Sequence, residues 1–435
     1  MKSIVAIVGR ANVGKSRLFN RLVGHTSAIV NDLSGVTRDR HYGSADWLRH
    51  EFIVVDTGGI DLDPELDIEK YVSSQSMKAI EEADVILMVF DGQEDLTAID
   101  YEIVEKLRKA KSPVVIAINK IDDLRHEDRL GTFHSLGIEP VLPISAEHGR
   151  GVDDLLEEVV KHFPAPVEAK PEELATNRIA IIGRPNVGKS TFINRIAGED
   201  RVVVHETAGT TRDSIDVDVE FDNEKYTLVD TAGIKKGYRV SRQLEKYTAI
   251  RSLRAMDKSK IVCQLIDGSE GLTRQDLNLA GYTREQGKGL VLFVNKWDLM
   301  ADTSWEDYLD QLRHDLKELK DIPICRISAQ TGLGCTRMFG AIKQVNEMLS
   351  KRLSTAELNR VMETALQNHH LPVNRGKQVR VYYSTQTDTH PPTFMLFANR
   401  PQGIVFSYRR YLAKQLSEAM GVKGIPIKLI IRKKV

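Results

Sequence analysis

Two segments of this chain have the residue types and spacing of a loop that holds phosphate groups. Residues 9–16 read GRANVGKS and residues 183–190 read GRPNVGKS. In a G-x-x-x-x-G-K-[ST] loop the backbone N–H groups converge on the phosphates, the lysine reaches the β- and γ-phosphates, and the hydroxyl binds Mg²⁺. We therefore predict two nucleoside triphosphate sites. Their loop residues are Gly9, Arg10, Ala11, Asn12, Val13, Gly14, Lys15 and Ser16, and Gly183, Arg184, Pro185, Asn186, Val187, Gly188, Lys189 and Ser190, with Lys15 and Lys189 as catalytic residues and Ser16 and Ser190 as Mg²⁺ ligands.

A second pair of segments has the residues for binding a magnesium ion and a terminal phosphate. Residues 54–60 read VVDTGGI and residues 228–234 read LVDTAGI, each with an aspartate at the end of an apolar run. Such a carboxylate holds a Mg²⁺-bound water, and the N–H of the glycine three residues later meets the γ-phosphate. The predicted binding residues are Asp56, Thr57, Gly58, Gly59 and Ile60, and Asp230, Thr231, Ala232, Gly233 and Ile234, among which Asp56, Gly59, Asp230 and Gly233 are predicted to be catalytic.

One threonine is common to the segments SGVTRD and AGTTRD, which lie between these motifs. Thr37 and Thr211 are therefore predicted as catalytic residues that supply a second hydroxyl ligand to Mg²⁺. A ligand that binds only in the presence of the γ-phosphate is released on hydrolysis, together with the loop that carries it. This pattern is typical of a nucleotide-controlled switch.

A third pair of segments selects the base. Residues 119–122 read NKID and residues 295–298 read NKWD. The aspartate accepts hydrogen bonds from guanine N1–H and N2–H₂, whereas adenine would leave this carboxylate unpaired. We expect the asparagine to tie the loops together, the lysine stem to cover the base, and the alanine N–H of each ISA segment to donate to guanine O6. These residues are Asn119, Lys120, Asp122, Ser145 and Ala146, and Asn295, Lys296, Asp298, Ser328 and Ala329.

Guanine selectivity argues against an ATP-driven RNA remodeller. One catalytic residue that many GTPases have is missing from both copies. A glutamine that follows the D-x-x-G segment orients the attacking water in those enzymes. Here Ile60 and Ile234 stand at that position. Hydrolysis must therefore use another group.

The elements that position these motifs occur twice along the chain. Residues 5–24 match 179–198, residues 90–100 match 266–276, and residues 144–151 match 327–334. Within each copy short apolar runs alternate with helical patterns, which predicts an α/β domain with a mostly parallel sheet flanked by helices. A segment rich in Pro and Glu separates the copies and is typical of a linker. The predicted divisions are a first domain at 1–163, a linker at 164–177, a second domain at 178–349 and a tail domain at 350–435.

The tail is not a third copy. Its pattern predicts a small α+β domain in the order α-β-β-α-β, with the first strand over 377–385. Residues 350–435 hold 15 Lys and Arg against 4 Asp and Glu, although the whole chain has a net charge of zero. This asymmetry indicates nucleic acid binding, and the alternative is a solvated basic face. Aromatic residues of the tail either stack on bases or form its core, namely Tyr382, Tyr383, Phe394, Phe397, Phe406, Tyr408 and Tyr411.

The composition excludes several classes of protein. An apolar content of 41% with 28% charged residues is that of a folded chain, and no apolar run approaches the ~20 residues of a membrane span. Three cysteines without C-x-x-C spacing predict neither a disulfide framework nor a zinc site, which favours a reducing cytoplasm. His369 and His370 are interpreted as a helix stop rather than a metal site.

The duplicated motifs and the different tail resemble the Der (EngA) family, over essentially the whole chain. The resemblance implies two P-loop GTPase domains and a KH-like domain. It further implies a cytoplasmic GTPase that binds ribosomal RNA and acts in assembly of the large ribosomal subunit. Related GTPases without the glutamine use K⁺ held by a P-loop asparagine, which implies a K⁺ role for Asn12 and Asn186. The cofactors are then GTP or GDP, Mg²⁺ and K⁺, and we expect a monomer. The alternative is a passive RNA-binding module whose G domains are stabilised by nucleotide.

Two features depart from that pattern or extend it. Residues 421–424 read GVKG, but they follow the last helix, so we predict a helix C-cap rather than an RNA clamp. Residues 60–84 hold 8 acidic and 2 basic residues, whereas residues 234–260 hold 9 basic and 2 acidic. We expect the acidic segment to dock on the basic tail and the basic segment to face RNA. The alternative is that both are solvated helix faces.

Overall fold

The structure is a computed structural model. It describes residues 2–24, 42–48, 50–57, 82–122, 130–164, 177–198, 202–205, 216–229, 249–371, 373–374 and 377–433. These residues form two compact units. The first contains the described residues up to 164 together with 249–254, and the second contains the others from 177 onward. The domain boundaries given above stay a prediction.

The first unit is built around a six-stranded sheet. Its elements are β1 (Ser3–Val8), α1 (Lys15–Gly24), β2 (Tyr42–Trp47), β3 (His50–Asp56), β4 (Val85–Asp91), α2 (Ala98–Leu107), β5 (Val114–Asn119), α3 (Leu130–His134), β6 (Val141–Pro143) and α4 (Val152–Lys161). The strand order is β2-β3-β1-β4-β5-β6, and β2 pairs antiparallel with β3 while the other pairings are parallel. All seven residues of β4 are buried. A continuous apolar strand of this kind is covered on both faces.

The parallel register brings the functional motifs to one edge of this sheet. Ile7 of β1 lies opposite Asp56 of β3, and Asp91 of β4 lies opposite Asn119 of β5. The phosphate loop follows β1 directly. Since ligands of open α/β sheets bind outside the carboxyl ends of the strands, this edge is where a nucleotide site is expected.

The second unit repeats this architecture in a seven-stranded sheet. Its first elements are β7 (Asn177–Ile182), α5 (Lys189–Ala197), β8 (Val202–His205), β9 (Val217–Phe221), β10 (Glu224–Val229), the part of α6 (Ala249–Lys258) from residue 255 onward, β11 (Ile261–Asp267), α7 (Arg274–Glu285), β12 (Gly289–Asn295), α8 (Trp305–Leu316), β13 (Ile324–Arg326) and α9 (Arg337–Ser350). The strand order is β13-β12-β11-β7-β10-β9-β8, with β9 antiparallel to both its neighbours. Asp267 lies opposite Asn295, as Asp91 lies opposite Asn119. The predicted α/β class is confirmed in both copies.

The tail has the predicted order α-β-β-α-β with one addition. Its elements are α10 (Thr355–Asn368), β14 (Val373–Asn374), β15 (Lys377–Gln378), β16 (Val381–Thr389), β17 (Pro392–Ala398), α11 (Phe406–Met420) and β18 (Lys428–Lys433). The addition is the short pair β14 and β15. The single strand predicted over 377–385 is wrong at its start, because residues 377–378 pair with β14 and β16 begins at Val381. In the main sheet β16 pairs antiparallel with β17, which pairs parallel with β18.

One continuous apolar core joins the second large sheet to the tail. Phe339 and Ile342 of α9 belong to the same buried cluster as Met362 of α10, Phe394 of β17 and Leu412 of α11. The ammonium of Lys351, which follows α9, donates to the carbonyl oxygen of Met420 at 3.0 Å and so binds the end of α11. The tail therefore packs as part of the second unit.

The structure decides several minor predictions. The helix stop at the two histidines is confirmed, because α10 ends at Asn368 with His369 as its C-cap. Cys263, Cys325 and Cys335 are free thiols. In the part of the chain that the structure describes, no helix is long and apolar enough to cross a membrane. The same residues include no cluster of three or more His, Cys, Asp or Glu side chains that could hold a metal ion.

Candidate guanine nucleotide sites

The first phosphate loop positions a buried lysine at the start of α1. Lys15 is 7% exposed, and its ammonium donates to the carbonyl oxygen of Arg10 at 2.6 Å. Burial lowers the pKa of Lys15, and the nearby carboxylate of Asp56 opposes that shift. Gly14 has a φ of 97°, and a Cβ there would overlap the side chain of Asn119. Only glycine therefore lets the loop lie against the base motif.

Two of the expected magnesium ligands of the first copy, Ser16 and Asp56, lie together. The Ser16 hydroxyl donates to Oδ2 of Asp56 at 2.8 Å. Thr57 instead points its hydroxyl at the carbonyl oxygen of Ile7, at 2.8 Å, and so joins β3 to β1. A hydroxyl and a carboxylate side by side form the oxygen donor set that Mg²⁺ prefers.

Asn119 connects three loops of the first site. Its Nδ2 donates to the carbonyl oxygen of Val13 at 2.8 Å, and its Oδ1 accepts from the N–H of Ala146 at 2.9 Å. Asp122 accepts from the hydroxyl of Ser145 at 2.6 Å. The phosphate loop, the NKID segment and the ISA segment are thus held as one structure. The expected contact of the Ala146 N–H with guanine O6 stays a prediction, since here this N–H serves Asn119.

The second site repeats this geometry. The ammonium of Lys189 donates to the carbonyl oxygens of Gly183 and Arg184 at 2.9 and 2.6 Å. Asn295 donates to the carbonyl oxygen of Val187 at 2.7 Å, and its Oδ1 accepts from the N–H of Ala329 at 2.9 Å. The same bonds in two copies of the domain indicate that this arrangement follows from the motif.

Part of each predicted site lies outside the described residues. These positions are Thr37, Gly58, Gly59, Ile60, Thr211, Asp230, Thr231, Ala232, Gly233 and Ile234. The same is true of most of the oppositely charged segments 60–84 and 234–260. Their roles, including the docking of the acidic segment, stay predictions.

An arginine of each phosphate loop is anchored by carboxylates that were not among the predicted site residues. In the second copy Arg184 pairs with Oδ2 of Asp276 at 3.0 Å through Nε and with Glu270 at 2.9 Å through Nη2. In the first copy Arg10 pairs with Glu94 at 2.5 Å, and its Nε lies 3.4 Å from Asp100. Because the carbonyl oxygen of the same arginine accepts from the loop lysine, this anchor positions the lysine.

Asp276 has a second structural role at the start of α7. It is fully buried, and its Oδ2 accepts from the N–H and hydroxyl of Thr273 at 3.1 and 2.7 Å, which forms a capping box. Its other oxygen has no hydrogen-bond partner among the described residues. Burial raises the pKa of Asp276, and the bonds from Thr273 and Arg184 oppose this shift.

The segment that supplies these anchors also reaches the base motif. Asp91 binds the ammonium of Lys120 at 2.5 Å, and Asp267 binds that of Lys296 at 2.6 Å. Residues 91–100 and 267–276 therefore contact the phosphate loop at one end and the base motif at the other. The signal was present in the repeat, where both copies keep D-G-x-E-x-L-T-x-x-D. This repeated segment was not predicted as part of the site, because none of its residues is expected to touch the nucleotide.

Known proteins share this combination of motifs and domains. A family model described as a 50S ribosome-binding GTPase matches residues 4–120 and 178–296, and one described as KH-domain-like of EngA bacterial GTPase enzymes, C-terminal, matches residues 352–432. GTPase Der of Geobacter metallireducens is 45% identical over 434 residues, which cover 99% of each chain. This chain belongs to the Der (EngA) family. GTPase Der of Staphylococcus epidermidis is 43% identical over 435 residues, covering 100% of this chain and 99% of its own.

A solved structure is also similar over part of the chain. The crystal structure of Era in complex with MgGDPNP and nucleotides 1506–1542 of 16S ribosomal RNA has 25% sequence identity. It covers 61% of this chain and 92% of its own, with a TM-score of 0.32.

Membership of the Der family confirms the fold and the class of protein predicted from the motifs. The chain is a GTP-binding switch protein of the GTPase class, with two tandem G domains and a KH-like C-terminal domain. The roles of individual site residues, the ions and the RNA partner go beyond this statement.

Proposed function

We propose that this Der-family protein hydrolyses GTP at two Mg²⁺-dependent sites and thereby controls its binding to ribosomal RNA during maturation of the large ribosomal subunit. It acts in the cytoplasm as a monomer. The observation that carries the proposal is the repeated site geometry, in which Asn119 and Asn295 join the phosphate loop to the base-binding loops. A passive scaffold could lose the residues for phosphate and metal binding, but Lys15, Asp56, Lys189 and Asp230 are all present.

Different site residues bind the phosphates, select guanine and hold Mg²⁺ in this proposal. Lys15 and Lys189 bind the phosphates, and Asp122 and Asp298 select guanine. Ser16 and Thr37, with Asp56 through water, would hold Mg²⁺ in the first site, and Ser190, Thr211 and Asp230 in the second. The contact between Ser16 and Asp56 supports this donor set. A bound Mg²⁺ neutralises charge on the β- and γ-phosphates.

The missing glutamine is compensated by a cation in this proposal. Asn12 and Asn186 have φ values of 65° and 64°, and both residues are exposed. Their amide oxygens are hard donors of the type that suits K⁺. A K⁺ ion held there would supply positive charge near the transferred phosphoryl group, which is the largest electrostatic requirement of this reaction.

Partner binding tests the switch directly. Purified large ribosomal subunits are sedimented with the full chain in the presence of GDP or a non-hydrolysable GTP analogue. We expect much more co-sedimentation with the analogue. The control is the double variant Asp122→Asn and Asp298→Asn, which should lose the response to guanine nucleotides. Equal co-sedimentation in both nucleotide states would instead support a passive RNA-binding module.

A further inference from the structure

The GVKG segment of the tail ends helix α11 and does not form a loop between two helices of the kind that clamps RNA in KH domains. Gly421 ends α11 in the left-handed conformation, with φ at 61°, and the N–H of Val422 donates back to the carbonyl oxygen of Ser417 at 3.0 Å. A Cβ on Gly424 would lie 2.5 Å from the carbonyl oxygen of Asp321. The segment is therefore a helix C-cap, as predicted, and it also packs against Asp321 of the second G domain. An RNA contact of the tail must use another surface.

One face of the tail sheet is covered by helices. Side chains of a strand alternate between the two faces of its sheet. Phe394, Leu396 and Ala398 of β17 and Leu429 of β18 are buried in the cluster that contains α10 and α11. The residues between them point to the opposite face.

That opposite face, which we call the open face, combines aromatic, apolar and basic side chains. One row, at an end of this face, is Tyr383, Phe397 and Arg432, which lie opposite one another in the register of the three strands. The next row is Thr385, Met395 and Ile430, and Lys428 lies on the same side of β18. Arg432 and Lys428 are exposed, so one cation lies in the aromatic row and a second lies two rows away along β18.

The two rings of the open face stack face to face, and the outer face of the Tyr383 ring is the one that a base could reach. The ring centroids of Tyr383 and Phe397 are 4.2 Å apart, and the interplanar angle is 17°. Tyr383 is 48% exposed, whereas Phe394 and Tyr408 are buried in the core. RNA-binding modules that use a sheet stack unpaired bases on exposed aromatic rings, and a base on the outer face of Tyr383 would extend the existing ring stack.

We propose that the open face binds single-stranded RNA, with a base stacked on Tyr383 and backbone phosphates paired with Arg432 and Lys428. The inference rests on the proposed function, since it names the surface of the tail that contacts RNA. The charge of the tail favours a polyanion over an apolar protein surface, with 15 basic against 4 acidic residues in 350–435. Unpaired bases are required because a base inside a duplex does not expose its ring face.

Fluorescence anisotropy of the full chain with a labelled, unstructured 12-nucleotide RNA tests the inference. We expect Tyr383→Ala to weaken binding about tenfold, which corresponds to loss of one stacked base. Tyr383→Phe should keep the affinity, because the ring and not the hydroxyl makes the contact. Tyr101→Ala is the matched control, since Tyr101 is also 48% exposed but belongs to the first G domain. Arg432→Gln should reduce the slope of log affinity against log salt by roughly 0.7.

The outcomes separate this inference from the proposed function. RNA binding that is unchanged in both Tyr383→Ala and Arg432→Gln overturns the open face as the RNA surface and leaves the proposed function intact. A wild-type chain that binds neither RNA nor large subunits overturns both. Tyr383→Ala that weakens co-sedimentation with subunits but not binding to the free RNA shows a protein partner instead. Equal affinity for the duplex form of the RNA also contradicts stacking. Thermal unfolding of each variant shows whether a loss of RNA binding is caused by misfolding. If Tyr383→Ala is misfolded, RNA binding by Arg432→Gln, which leaves the ring pair in place, is the deciding measurement.

Discussion

Replacing Asp276 with Asn removes the buried charge that anchors the second phosphate loop. The carbonyl oxygen of Arg184 accepts from Lys189, and its guanidinium is held by Asp276 and Glu270. The amide oxygen of Asn still accepts from Thr273, so the capping of α7 is retained. The guanidinium then keeps a hydrogen bond from Nε to that same, now neutral, oxygen, and its one remaining ion pair is with Glu270, whose side chain is 57% exposed. The loop must then be ordered by the nucleotide itself, and binding weakens.

The distances set the size of this effect. A hydrogen bond to a charged group stabilises by about 1.5–3 kcal/mol, whereas an exposed ion pair contributes roughly 0–1 kcal/mol. We therefore expect Asp276→Asn to weaken GDP binding at the second site about tenfold, or ~1.4 kcal/mol. In the first copy Nε of Arg10 lies 3.4 Å from Asp100, beyond normal hydrogen-bond distance, and its short bond is to the exposed Glu94. Asp100→Asn should weaken the first site by only about twofold, or ~0.4 kcal/mol.

Each site must be measured alone. In an Asp122→Asn background the first site no longer selects guanine, so titration with fluorescent GDP reports the second site. The reciprocal background is Asp298→Asn. A double-mutant cycle of Arg184→Gln and Asp276→Asn then measures the coupling between the two side chains. An unchanged dissociation constant for Asp276→Asn, or effects of the two changes that simply add, would refute the anchoring role.

The pKa of Asp276 adds a test by pH. Burial raises this pKa in the folded protein, so acidification protonates Asp276 before the same group in the unfolded chain. Because the folded state then takes up the proton first, this group does not lower the free energy of unfolding as the pH falls. Protonation nevertheless removes the charge that holds Arg184. GDP affinity of the second site should fall on acidification toward that of Asp276→Asn, and the variant should lose this component of the pH dependence.

Three further predictions follow from the site and the fold. Asp122→Asn and Asp298→Asn should each change the base preference of one site from guanine to xanthine nucleotides, because the amide can donate to xanthine O2. Calorimetric titration should find two GDP bound per wild-type chain, and a stoichiometry of one GDP would contradict the two-site structure. Turnover of GTP should be several-fold faster in KCl than in NaCl at equal ionic strength, and Asn12→Ala together with Asn186→Ala should remove the difference; equal rates in the two salts for the wild type would contradict a role for K⁺. Gly424→Ala should lower the free energy of unfolding of the second unit by about 2–3 kcal/mol, because the new Cβ meets the carbonyl oxygen of Asp321 and φ is 69°. Gly421→Ala should lower it by only about 1 kcal/mol, because the nearest atom to the new Cβ belongs to the flexible side chain of Lys351, at 3.8 Å. Denaturant unfolding of both glycine variants measures this difference, and equal losses would contradict the close packing of residue 424.

The two nucleotide motifs, the repeated α/β domains and the order of the main elements in the tail could be predicted from the amino-acid sequence. These features depend on local rules. The left-handed torsion at Gly14, the alternation of apolar runs with helical patterns and the C-cap at Gly421 are each specified by a few neighbouring residues. The chain also repeats each pattern, and two copies of one motif in the same context are hard to obtain by chance.

The distant residues that support these motifs could not be predicted, because their contacts form only when the elements pack together. Arg184 and Asp276 are 92 residues apart, and nothing local to either of them indicates that they pair. The register of β16, β17 and β18 places Tyr383, Phe397 and Arg432 in one row, and helix packing on the other face leaves this row open. Gly424 needs to be glycine because of Asp321 in another domain. Such contacts depend on how whole elements pack, and a sequence pattern of period 2 or 3.6 shows which face is apolar but not which partner covers it.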